Sequence, residues 1–293
     1  MKNRKKRTKK KGSYIEKTDQ DMKKILCPTD FTDTAHNAIA YAAKFAQANE
    51  AQLIIFNVQS VFDISPVEII KGHSEAVDFV RRNLEAQALE VAKEFNISCY
   101  GEVEVSNTPL SSIISDRGKE FDLIIMGTNG TDDLYQFFMG SNTYNVIRKS
   151  SIPVLLIPAD CGYSAVDLVV YAYDYVHKGV PALNQLTSLL RPFNSRVCVL
   201  QVLDGNYTQE MEVEVREQQA LLRDLFEDKQ DVIFDLIHSG ELSESIHRYV
   251  LRNKADILAL SIHHYSLMES IFHKSLTKKI SSIADYPVLV FHE

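Results

Sequence analysis

The second half of this chain repeats the first. KKILCPTDFT (Lys23–Thr32) and DLVVYAYDYV (Asp167–Val176) are apolar runs that end in an aspartate, Asp30 or Asp174, followed by an aromatic residue. At the same offset of 144, AQLIIFNV (Ala51–Val58) falls on SRVCVLQV (Ser195–Val202). Later, FDLIIMG falls on ADILALS and SIPVLLI on DYPVLVF, both at an offset of 134. Ten residues are thus lost in the middle of the second copy. Self-similarity on this scale means one folding unit used twice, and 293 residues suit two domains.

Each unit alternates short apolar runs with helical patterns. The runs 24–27, 52–58, 98–105, 122–126 and 153–157 are rich in Val, Ile and Leu and bounded by polar or turn residues. Buried parallel strands read this way. The second copy places strands near 167–171, 196–202, 231–238, 256–260 and 287–291. Thr32 suits the N-cap of a helix that buries Ala35, Ala38, Ile39, Ala42 and Phe45. Segments 66–95, 109–119 and 141–150 supply three more helices. Strict alternation implies right-handed crossovers and a parallel sheet with helices on both faces. The expected architecture is α/β, with two tandem doubly wound five-stranded parallel-sheet domains. The boundaries read as a basic disordered tail at 1–21, a domain at 22–158, a linker at 159–165 and a second domain at 166–293. The fifth strands, PVLLI and PVLVF, are natural contacts between halves or between chains.

Charge is unevenly placed. Residues 1–12 hold eight of the 32 Lys and Arg and no acid, which leaves 24 basic against 39 acidic residues, a net of −15, in the remainder. One short basic run without aromatics reads as a solubilising tail rather than a nucleic-acid-binding surface. Runs such as LIIM and PVLLI are far too short to span a bilayer. The N-terminus has charge but no apolar core of a secretory signal. Cys27, Cys99, Cys161 and Cys198 form no CxxC and read as reduced apolar residues of a cytoplasmic protein.

The chemistry concentrates in GTNGTDDLYQFFMGS (Gly127–Ser141), which follows directly on the run LIIM. In open α/β sheets, ligands sit beyond the carboxyl ends of strands where strand order reverses. Glycine there can take positive φ and let backbone approach a ligand. Gly130 repeats the feature, and Gly140 and Ser141 open a helix whose free N–H groups suit an anion. The loop reads as a phosphate cradle built largely of backbone. Asp30, at the end of a strand expected to neighbour the fourth, can accept bonds from ribose hydroxyls or a base amine. Val58 offers an apolar wall. The loop is neither a Walker A nor a GxGxxG motif.

CPTDF (Cys27–Phe31) and the pattern Gly-x2-Gly-x9-Gly-Ser together resemble the tandem universal stress proteins of the adenine-nucleotide α-hydrolase-like superfamily, whose domains are Rossmann-like and UspA-type. The resemblance covers 22–293. It implies ATP, with or without Mg²⁺, held by the Pro28-Thr29-Asp30 turn. Thr29 and Asp30 would contact the nucleoside, Val58 and Met126 the base, and Gly127, Gly130, Gly140, Ser141 and Asn142 the ribose and phosphates. One departure is that the family often has basic residues between the second and third glycines. This chain has Asp132 and Asp133 there and no Lys or Arg.

In the second copy, Gly127, Gly130 and Gly140 become Ser261, His264 and Lys274, while Ser275 and Asp174 survive. Side chains then stand where backbone must meet a phosphate, so the C-terminal domain is expected to be a degenerate pairing or interaction domain. The resulting expectation is a stress-type regulator with one adenine nucleotide per chain, an intramolecular pseudo-dimer of its domains, and room for homodimers or protein partners. The alternatives are a nucleotide-independent scaffold and a slow ATP hydrolase. No catalytic residue is assigned, because no triad and neither of the superfamily's SGGxDS or HxGH motifs occurs. His263, His264 and His273 lack the convergent partners of a metal site.

Overall fold

The computed structural model describes residues 24–61, 74–128, 141–173, 180–203, 208–226, 231–262 and 286–292. In the first half, β1 (Lys24–Pro28), β2 (Gln52–Gln59), β3 (Cys99–Val105), β4 (Leu123–Thr128) and β5 (Val154–Pro158) alternate with α1 (Asp33–Ala48), α2 (Glu75–Phe95), α3 (Leu110–Arg117) and α4 (Ser141–Lys149). The second half runs β6 (Leu168–Ala172), α5 (Val180–Leu190), β7 (Arg196–Leu203), α6 (Gln209–Phe226), β8 (Val232–His238), α7 (Leu242–Asn253), β9 (Ile257–Ile262) and β10 (Val288–His292). Every expected strand is present within two residues of its expected bounds. The expected start of the second helix, 66–73, and the basic tail lie outside the described residues.

The strands form one sheet in the order β3-β2-β1-β4-β5-β10-β9-β6-β7-β8. Eight neighbouring pairs are parallel, and one, β5 with β10, is antiparallel through Val154–Val290, Leu155–Leu289 and Leu156–Val288. The fifth strands thus join the halves.

Because both faces of the sheet are covered, its strands are continuously apolar. On one face α1 and α2 bury Ile39, Ala42, Phe45 and Leu84 against Ile25, Cys27, Leu53 and Ile125. The same apolar cluster continues through Leu155 and Phe291 into Tyr171, Leu186 and Val199 of the second half. On the other face Ile113, Ile114, Val146 and Ile147 of α3 and α4 cover Leu26, Phe56, Ile124 and Met126.

Helix α1 begins as its sequence predicts. Thr32 is extended, and its hydroxyl accepts a bond from the Ala35 amide at 3.3 Å. All five residues expected on its inner face are buried. Ser74 caps α2 in the same way through the Val77 amide, and Asn96 ends it in the left-handed conformation. The segment after β5 lies along α1: Asn37 Nδ2 donates to the carbonyls of Pro158 (3.0 Å) and Cys161 (2.9 Å), and Tyr41 meets the Tyr163 ring edge-on at 5.0 Å between centroids. Farther along α1, Phe45 packs on Phe193 of the second half at 4.8 Å.

Candidate functional site

Chain order reverses between β1 and β4. From β1 the sheet runs to β2 and β3 on one side and to β4 and β5 on the other. The residues just past these two strands flank a switch point, where α/β sheets take their ligands. The β1–β4 register pairs Ile25 with Leu123 and Leu26 with Ile124. Continued, it sets Pro28 level with Met126 and Thr29 level with Gly127. Pro28 also pairs with Phe56 of β2. The Pro28-Thr29-Asp30 turn and the Met126-Gly127 end of β4 therefore stand side by side.

Val58 and Met126 belong to the same face of the sheet, against the apolar cluster that also holds Val146 and Ile147 of α4. Met126 is buried and Val58 half-buried. Ser141 and Asn142 open α4 over that same face. Gly130 and Gly140 lie outside the described residues.

Thr29 is buried, and its amide donates to the Phe56 carbonyl at 2.8 Å. Asp30 is exposed. Its Oδ1 accepts from the Thr32 amide (3.1 Å) and hydroxyl (2.6 Å), which leaves Oδ2 open to a ligand among the described residues. Phe31 between them has φ 63, the left-handed region an aromatic side chain rarely enters. Such strain persists only where surroundings over-determine it. Here the Phe31 amide is held by Thr29 Oγ1 at 3.1 Å and the following residue by Asp30.

Gly127 departs from its expected part. It lies inside β4, paired with Ile157, and outside the left-handed region. Its missing Cβ makes room for α1: a Cβ would stand 2.7 Å from the Thr34 carbonyl oxygen and 2.9 Å from Thr34 Cγ2. The close approach that requires glycine is to the first turn of α1. Lys149, at the far end of α4, donates to Ser112 on α3 at 2.8 Å and is directed to that helix.

Sequence reasoning missed Asn57. It is buried in β2, donates from Nδ2 to the Thr29 carbonyl at 2.7 Å, and accepts on Oδ1 from Gln59 Nε2 at 2.6 Å. The available signal was an amide side chain inside the apolar run LIIFNV.

Residues 22–158, which contain every candidate site residue, match the model of the Universal stress protein family. That segment is a domain of the universal stress protein family. Universal stress protein MJ0577 of Methanocaldococcus jannaschii is 29% identical over 154 residues, covering 46% of this chain and 94% of that protein. A universal stress protein of Helicobacter pylori is 29% identical over 136 residues, 45% of this chain and 97% of its own. A universal stress protein from Archaeoglobus fulgidus has the same fold across both halves, with a TM-score of 0.68 at 17% identity over 92% of this chain and 98% of that one.

The second half of the chain repeats the switch point between β6 and β9. The Tyr173 amide donates to the Leu200 carbonyl at 2.9 Å, as Thr29 does to Phe56 in the first half. Ser261 stands in the place of Gly127, with a buried hydroxyl that has no partner among the described residues. Asp174, His263, His264, His273, Lys274 and Ser275 lie outside the described residues. Cys27, Cys99, Cys161 and Cys198 are free thiols. Burial pushes the Cys99 thiol up to about 12 and Cys27 higher still, so both stay protonated and inert at neutral pH. Among the described residues no helix is long and apolar enough to cross a membrane.

Proposed function

We propose that this universal stress protein is a nucleotide-responsive regulator that binds one ATP, with or without Mg²⁺, in a domain spanning 22–158. A second domain at 166–293, beyond a linker at 159–165, serves as a degenerate pairing partner. The observation that carries the reading is the meeting of the Pro28–Asp30 turn and the end of β4 at a switch point. There a carboxylate oxygen of Asp30 with no partner among the described residues and the apolar side chains of Val58 and Met126 fit the nucleoside end of such a ligand. Asp30 Oδ2 would accept a ribose hydroxyl, and Val58 and Met126 would flank the base. Gly127, Gly130, Gly140, Ser141 and Asn142 would offer backbone and side-chain donors to ribose and phosphates. Only the first crevice has the full glycine set, hence one nucleotide per chain.

Calorimetric titration of ATP, with and without Mg²⁺, tests this. The expected stoichiometry is one, with binding abolished by Gly140→Lys, because the side chain fills a cradle that only glycine leaves open. A stoichiometry of two, or binding that survives this substitution, contradicts the reading. The carboxylates Asp132 and Asp133 favour a second reading, a nucleotide-independent scaffold, since they repel a polyphosphate. Folded protein that binds neither ATP, AMP nor cyclic AMP selects it. A turnover assay separates a regulator from a slow ATP hydrolase.

A further inference from the structure

We infer that Asn57 is the positioning residue for the nucleoside end of this site: its amide clamps the Thr29 carbonyl and thereby sets the turn that presents Asp30. The ligand in this inference rests on the nucleotide reading above; the clamp rests on geometry alone. Asn57 is 5% exposed and follows the apolar run Leu53–Phe56 of β2, a place where an amide persists only if its polar atoms are satisfied. Both are. Gln59 Nε2 donates to Oδ1 at 2.6 Å, which fixes the way the amide faces, and Nδ2 then points across to β1 and the Thr29 oxygen at 2.7 Å. The Thr29 amide is already tied to Phe56 at 2.8 Å. Strand β2 therefore holds Thr29 at both its N–H and its carbonyl.

The backbone turns sharply just beyond. Thr29 Oγ1 accepts the Phe31 amide, Phe31 takes its positive φ, and Asp30 Oδ1 accepts the Thr32 amide. Asp30 is exposed, so no packing around its own side chain decides where the carboxylate stands. The shape of the turn decides it, and the Thr29 carbonyl is where that shape begins.

The second half is an internal control. At the offset of 144, Gln201 occupies the place of Asn57 and is equally buried, at 1% exposed. Its Oε1 accepts from Gln219 Nε2 at 2.6 Å, while its Nε2 has no partner among the described residues. The strand hydrogen bond from Tyr173 to Leu200 is kept. One added methylene thus coincides with loss of the carbonyl clamp while the ladder survives. This marks the two crevices apart independently of the glycines.

The test uses full-length Asn57→Ala and Asn57→Gln, the latter copying a residue the second half accommodates. Amide hydrogen exchange without ligand should accelerate by about tenfold or more at Phe31 and Thr32, while Ile25 and Leu26 in β1 keep their protection. ATP affinity should fall about tenfold, the effect of one lost hydrogen bond, while tripolyphosphate affinity holds. In an Asp30→Ala background, Asn57→Ala should change ATP affinity less than about twofold, because the two act as a unit. Unchanged exchange at Phe31 and Thr32 overturns the clamp, as does an equal loss of ATP affinity in both backgrounds. If the unmutated protein binds no ATP, the nucleotide reading fails, and the exchange measurement still upholds or overturns the clamp.

Discussion

A Cβ at position 127 would press on the Thr34 carbonyl at 2.7 Å, and that backbone cannot yield as a flexible side chain would. Gly127→Ala should destabilise the protein by about 1–3 kcal/mol through overpacking, read as a lower urea midpoint at unchanged slope. Asp30→Ala should weaken ATP by about 1.5–3 kcal/mol if it makes one charged hydrogen bond, whereas Asp174→Ala leaves the titration curve where it was. His292 supplies a pH signature. Burial holds its imidazole below the ordinary 6.5, against a smaller opposing contribution from a hydrogen bond to the Ile147 backbone. The unfolded chain therefore binds the proton more readily, and stability falls as pH drops below about 6.5 toward the folded value. His292→Gln should flatten that slope in urea melts between neutral and mildly acidic pH. At this scale the sequence was legible where identity alone fixes chemistry, as at Thr32, whose hydroxyl caps α1. It was illegible where geometry decides. Nothing in the letters puts an aromatic residue at positive φ, and an asparagine in a strand does not say whose carbonyl it reaches.

Elements were legible because two periodicities are clean. Runs such as LIIM and PVLLI are short, rich in Ile, Val and Leu and bounded by polar or turn residues, as strands buried on both faces are, and the three- and four-residue spacing of Ala35, Ala38, Ile39, Ala42 and Phe45 lines one face of a helix against a core. Helix α1 shows what such reading leaves out. Its start is fixed by Thr32, its flank carries the post-β5 segment through Asn37, and its last turns meet Phe193. One helix thus touches the candidate site, the connection and the other half, and only the first of these contacts has a local signal. Thr32→Ala removes the cap and a partner of Asp30 together. It should cost about 1 kcal/mol of stability and weaken ATP as well, whereas Thr32→Ser, which keeps the hydroxyl, should do neither. The pairing direction of β5 and β10 was likewise unreadable, since apolar runs join equally well either way.

For the whole molecule, one apolar cluster passes from Ile25 and Phe45 through Leu155 and Leu289 to Tyr171 and Val199. Its halves should unfold together. Fluorescence and far-ultraviolet dichroism should then trace one coincident thermal transition, and two resolved transitions would contradict a shared core. The antiparallel junction of β5 with β10 also bears on how the two crevices came to differ. In a two-fold dimer of identical chains, any substitution appears in both subunits, so a serine in the place of Gly127 would strike every copy of the site at once. Here the partner is the same polypeptide, and Ser261 leaves Gly127 untouched. Joining the halves in one chain frees each to accumulate changes the other does not share, so one can keep a ligand while its mirror image is released to a different task.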